Sequence, residues 1–132
     1  MFNKLLYGLR CLSMNDDEVL QCFFDEICSV FPEIKPLMDM QNEFMITAKM
    51  EVFADATCIA FADGNISLAK NYLSYINNKL IDAHPIEFEY IDVYYVEHLF
   101  WKANDDTKAI GWPLVPPKLQ KLYVDFHGST AI

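Results

Sequence analysis

Between Asn15 and Pro32 the apolar residues Leu20, Phe23, Phe24, Ile27 and Phe31 recur at i, i+3, i+4, i+7 and i+11. That spacing gathers them on one stripe of an α-helix but scatters them over both faces of a strand, so the segment can bury its rings only as a helix. The punctuation agrees. Ser13 or Asn15 can cap the start, Asp16, Asp17 and Glu18 place negative charge in the first turn, and Pro32 stops the run.

The same reading applies along the rest of the chain. Phe2, Leu5, Leu6, Leu9 and Leu12 have helix-compatible spacing, interrupted by Gly8, and Pro36 suits the first turn of a short helix within 33–44. A helix from about Thr47 to Ala62 would turn Ala48, Val52, Ala56 and Ile59 to one side. Asp63-Gly64-Asn65 then breaks it, with Gly64 suited to a left-handed helix end and Asn65 to the next cap. Ala69, Tyr72, Leu73, Ile76 and Leu80 continue on one stripe, so the pair predicts an αα-hairpin closed by His84-Pro85.

Residues 86–102 admit two readings. Ile86-Glu87-Phe88-Glu89-Tyr90 alternates as a strand does, whereas Phe88, Ile91, Tyr95 and Leu99 form a helical stripe in a stretch too long for one strand. Helix is the preferred reading, with a minor strand at 86–90 left open. Residues 104–111 read as a polar loop, Trp112 to Pro117 as extended or turned chain, and Lys118 to Phe126 as a last helix ended by Gly128. The expectation is an all-α bundle of about five or six helices in a single domain spanning 1–132.

Composition removes several function classes. Hydrophobic residues at 53% and aromatics at 14% are too abundant for a disordered chain. Nineteen acidic against ten basic side chains give a formal charge of −9, which repels phosphate backbones and anionic membrane faces and favours a basic protein partner. Direct binding to nucleic acid or to a membrane is therefore not expected, and no stretch approaches the roughly 18 apolar residues of a membrane span. Cys11, Cys22, Cys28 and Cys58 show no CxxC or zinc-like spacing, and no signal-peptide pattern precedes them. Reduced thiols and a cytoplasmic location are expected.

Catalytic signatures are missing as well: the chain has no P-loop, GxGxxG, HExxH or GxSxG. His84, His98 and His127 are isolated, and Glu97-His98 would point about 100° apart on a helix, too far to hold one ion. The expectation is a protein that is not an enzyme, with no catalytic residue, metal or cofactor. The candidate contact residues are carboxylates crowded into one region, Glu87, Glu89, Asp92, Glu97, Asp105 and Asp106, interleaved with Tyr94 and Trp101. Carboxylates three apart on a helix share a face that suits lysine or arginine, and tyrosine and tryptophan supply anchors.

The tail Gly111-Trp112-Pro113-Leu114-Val115-Pro116-Pro117-Lys118-Leu119-Gln120-Lys121-Leu122-Tyr123, with Tyr95-Val96-Glu97-His98-Leu99-Phe100 before it, resembles small bacterial helical proteins of the toxin-immunity kind, including immunity proteins of contact-dependent inhibition. The resemblance covers about the last third of the chain and implies an antitoxin-type protein that binds one cognate toxin and blocks it. A basic, nuclease-like toxin fits the charge, because a cleft that holds phosphate also attracts an acidic inhibitor. A helical adaptor or regulatory subunit for a cellular protein is the alternative. Neither reading assigns an oligomeric state.

Overall fold

Helix α1 (Asp16–Val30) begins where its sequence says it should: the Asn15 side chain accepts a hydrogen bond from the Glu18 backbone N–H at 2.9 Å. The computed structural model describes residues 14–132, so the apolar run from Phe2 to Leu12 and the Ser13 cap lie outside the described residues. Leu20, Phe23, Phe24 and Ile27 are buried as a stripe, and Val19 joins them. Phe31, at the end of α1, lays its ring edge-on against Tyr72 at 4.7 Å and near Phe53 at 6.0 Å. A single 3₁₀ turn, Pro32–Ile34, leads into the short α2 (Lys35–Asp39).

Helix α3 (Ile46–Ala62) is the central element, packing against α2 and three elements that follow it in the chain. Its buried side is Met50, Phe53, Ala54, Thr57, Ala60 and Phe61. The expected face is therefore corrected: Ala48, Val52 and Ala56 are only half-buried, and Ile59 is 58% exposed. Apolar residues surround this helix, so two stripes satisfy the helical period. Burying Phe53 and Phe61 removes more apolar surface than burying alanines, and that decides the rotation.

Gly64, at φ 79°, ends α3 in a Schellman arrangement. The Asn65 N–H reaches the Ala60 carbonyl at 2.8 Å and the Gly64 N–H reaches Phe61 at 3.1 Å. The Asn65 side chain makes no cap bond, contrary to expectation. Helix α4 (Ile66–Lys79) buries Ala69, Tyr72, Leu73 and Ile76 against α3, completing the hairpin.

His84 then caps α5 (Pro85–Glu89). Its Nδ1 accepts from the Ile86 N–H at 3.2 Å, and its own N–H donates to Glu87 Oε1 at 2.8 Å. Residues 86–90 are thus helical, and no strand occurs among the described residues. The chain continues without a break into a π-helix, Tyr90–Val96, which packs on α3.

Residues 104–111 are not a loop. Asn104 accepts from the Thr107 N–H at 2.8 Å and starts α6 (Asp105–Gly111). After a 3₁₀ turn at Trp112–Leu114 comes α7 (Pro117–His127), ended by Gly128 at φ 79°. The described residues hold seven α-helices, one or two more than expected, and α6 is one that had been read as a loop. Buried side chains from α1, α2, α3, α4, the π-helix and α7 join in one core cluster, against which Ile86 of α5 packs.

Candidate functional site

The π-helix changes which residues face inward. Its turns close from i to i+5, as in the Glu97 N–H to the Asp92 carbonyl at 3.3 Å. The buried pairs Tyr90–Ile91 and Tyr95–Val96 follow that wider period, and Leu99–Phe100 are buried one turn on, whereas Phe88, assigned inward by an α-helical count, is 42% exposed. The run ends at Phe100, whose φ of 64° makes it the one non-glycine with positive φ among the described residues. A bulky side chain disfavours this conformation, and such strain persists only where the surroundings enforce it.

Here they do. The Phe100 ring is buried, edge-on to Trp112 at 6.4 Å and to Tyr123 at 6.3 Å. The Phe100 N–H donates to Cys58 Sγ of α3 at 3.1 Å. Burial pushes the Cys58 thiol up to about 11, so the acceptor is a neutral sulfur. With Phe100 turned inward in this way, its neighbour Trp101 stands 67% exposed.

His98 supports that indole from below. Its ring stacks on Trp101 with 6.3 Å between centroids and 21° between planes. The two ring nitrogens each meet a carboxylate of α3: Nδ1 lies 3.2 Å from Glu51 Oε2 and Nε2 lies 3.0 Å from Asp55 Oδ1. Glu51 and Asp55 are one turn apart, so a flat ring fits between them.

The carboxylates singled out in the sequence separate into distinct settings. Glu87 is buried, holding the His84 N–H and lying 3.1 Å from the Lys79 ammonium, so it is withdrawn from the contact surface. The contact to Lys79 is an ion pair without hydrogen-bond alignment, since Glu87 Oε2 has no hydrogen-bond partner. Glu89 is exposed, beside the half-buried Tyr94, whose ring meets Tyr90 at 4.8 Å. Asp105 and Asp106 are exposed in the first turn of α6, where the helix dipole favours them.

Asp92 and Glu97 come together one π-turn apart. Partial burial raises both carboxyls above their ordinary range; Asp125 of α7 adds to the rise at Asp92, and Asp92 adds to the rise at Glu97, opposed by His127. His127 Nε2 also sits 3.0 Å from the Glu97 carbonyl oxygen. Glu97 therefore faces α7 while His98 faces α3. Carboxylates line both sides of the segment that presents Trp101. Glu51 and Asp55 went unnoticed in the sequence. Glu51, Asp55 and Ile59 do repeat every four residues, a signal of one helix face, but nothing local ties them to His98.

A cleft of about 260 Å³ lies between α1, α2 and the start of α3, with Cys28, Lys35, Met38, Asp39 and Lys49 in its wall. Its charges are partly engaged: Lys35 pairs with Asp39 at 2.8 Å, and the Cys28 thiol, raised chiefly by burial, donates to Met38 Sδ at 3.7 Å. Among the described residues no three His, Cys, Asp or Glu side chains converge as a metal site, and no helix is long and apolar enough to cross a membrane.

A family model described as a domain of unknown function, DUF7674, matches residues 24–128. That span takes in the second half of α1, from Phe24, and everything through the end of α7. No curated protein and no solved structure matches the chain.

Proposed function

The chain belongs to the DUF7674 family, and from that premise we propose that it is a binding protein of the immunity or antitoxin type. Its partner would be a cognate, basic, nuclease-like toxin whose active cleft it covers from the cytoplasmic side of the producing cell. The observation that carries the reading is Trp101, held 67% exposed by a strained Phe100. Exposure of a large indole and a positive φ at phenylalanine both work against stability, and such features are retained at surfaces that bind. Tryptophan is the residue type most concentrated among interface anchors.

Charge supports the same partner. The formal charge is −9, and Glu89, Asp92, Glu97, Asp105 and Asp106 lie within sixteen positions upstream or downstream of Trp101. A protein cleft built to hold phosphate is lined with lysine and arginine, the side chains these carboxylates would meet. The contact set is thus Trp101 with Tyr94 and these five carboxylates, extended by Glu51 and Asp55 and without the buried Glu87.

The test is calorimetric titration against a basic nuclease-like toxin domain, where one is encoded beside this gene, with Trp101→Ala in parallel. Wild type should bind and abolish nuclease activity, and the variant should lose about thirtyfold or more in affinity, the scale of a hot-spot anchor. A neighbouring toxin domain that is neither bound nor inhibited would sink the immunity reading.

A further inference from the structure

We propose that His98 is a charge-sensitive latch that sets how Trp101 is presented, an inference that rests on Trp101 being the partner contact. Both imidazole nitrogens lie within 3.2 Å of a carboxylate oxygen, Nδ1 on Glu51 and Nε2 on Asp55. A neutral imidazole has one N–H, so one of its nitrogens then sets a lone pair against a carboxylate. The doubly protonated ring is attracted to both carboxylates as an ion pair. The His98 side chain is 19% exposed, which leaves little water to screen a mismatched contact.

Loss of the proton therefore detaches the ring from one of two successive turns of α3. The indole is coupled to that event because it stacks on the ring with nearly parallel planes, 21° apart. A cationic ring also attracts an indole face more strongly than a neutral one, and the 6.3 Å separation sits at the outer edge of that attraction. The Phe100 backbone between them is already strained at φ 64°, so the segment has a second reason to move when one anchor is released.

Every charged or titratable neighbour has a defined place. Glu51 and Asp55 face the ring from α3, and Cys58 of the same helix holds the Phe100 N–H. From α7, His127 meets the Glu97 carbonyl and lies tilted against the Tyr123 ring at 4.0 Å, so it is a separate imidazole on the other side of the segment. Lys102, on the same segment, is exposed.

The experiment uses the free full-length protein labelled with ¹⁵N, so it requires no toxin. Ring nitrogen resonances give the charge state of each histidine across a pH series, and the Trp101 indole N–H is followed in the same samples. The Trp101 resonance should shift along a curve superimposable on that of His98. That shift should vanish in His98→Gln and in the double variant Glu51→Gln with Asp55→Asn, whose amides can donate to an unprotonated nitrogen. It should survive His127→Gln. A Trp101 signal that stays fixed while His98 titrates, or that follows His127, overturns the latch. If the latch is seen but Trp101→Ala binds the toxin as wild type does, the contact reading fails and the latch stands.

Discussion

Thr57 and Tyr95 form the only polar contact buried fully between α3 and the π-helix among the described residues, with 2.7 Å between their hydroxyl oxygens. Thr57 donates to the Phe53 carbonyl at 3.0 Å, so Tyr95 must be the donor to Thr57. Removing either partner has unequal consequences. Tyr95→Phe leaves Thr57 bonded to Phe53 and should cost about 1 kcal/mol, whereas Thr57→Val strands a buried phenol and should cost about 1–3 kcal/mol. Urea unfolding of both variants checks the order, and a costlier Tyr95→Phe would reverse the assigned donor. Gly111 offers a second contrast. A Cβ there would lie 2.9 Å from atoms of both Phe61 and Phe100. Alanine in place of glycine favours a helix by about 1 kcal/mol, yet overpacking against two buried rings costs about 1–3 kcal/mol. Gly111→Ala should therefore lower the urea midpoint; a raised midpoint would mean the rings have room to yield.

At the scale of elements, the π-helix both packs the core and assembles a like-charge pair. The folded-state carboxyls of Asp92 and Glu97 are raised, so across the window from their ordinary values up to the raised ones the folded chain binds more protons than the unfolded chain. Stability from these groups thus falls as pH rises through that window and stays lower above it. Asp92→Asn and Glu97→Gln should each raise the melting temperature at neutral pH and leave it little changed at a pH below the window. A drop at neutral pH would show that these carboxylates hold the fold together instead of straining it. The same element explains what the sequence withheld. The stripes of α1 and α4 were legible because each has one apolar face. The face of α3 was not, because apolar residues encircle it. The π-helix was hidden because an α-helical count through Phe88, Ile91, Tyr95 and Leu99 fits almost as well as the true period. In α6, four polar residues after Asn104 looked like a loop, although Asn104 followed by two aspartates is a helix start. Trp101 and Glu89 were recognisable as surface candidates from sequence. Glu87 was misassigned because its spacing from His84 was not read as a reciprocal cap, and the partnership of His98 with Glu51 and Asp55 joins residues more than forty positions apart, beyond any local pattern.

For the whole molecule, the two kinds of contact residue should govern different rates. The formal charge of −9 acts at a distance before docking, over about 8 Å at physiological ionic strength. An indole acts only once water is expelled. Replacing exposed charges should therefore slow association, and removing the anchor should speed dissociation. Glu89→Lys with Asp106→Lys is the suitable charge variant, since both residues are exposed while Asp92 is half-buried. Exposed substitutions of this kind stay within about 0.5 kcal/mol of wild-type stability, with up to about 1 kcal/mol more at Asp106 from the dipole of α6. Surface-plasmon kinetics against the proposed basic toxin domain at low salt should show association slowed about tenfold or more in this variant, with dissociation nearly unchanged. Added salt should slow wild type toward the variant. Trp101→Ala should show the opposite split, with near-normal association and fast dissociation. If the charge variant instead acts on dissociation alone, and salt leaves association untouched, the carboxylates make short-range contacts and the long-range field of the protein plays no part in finding its partner.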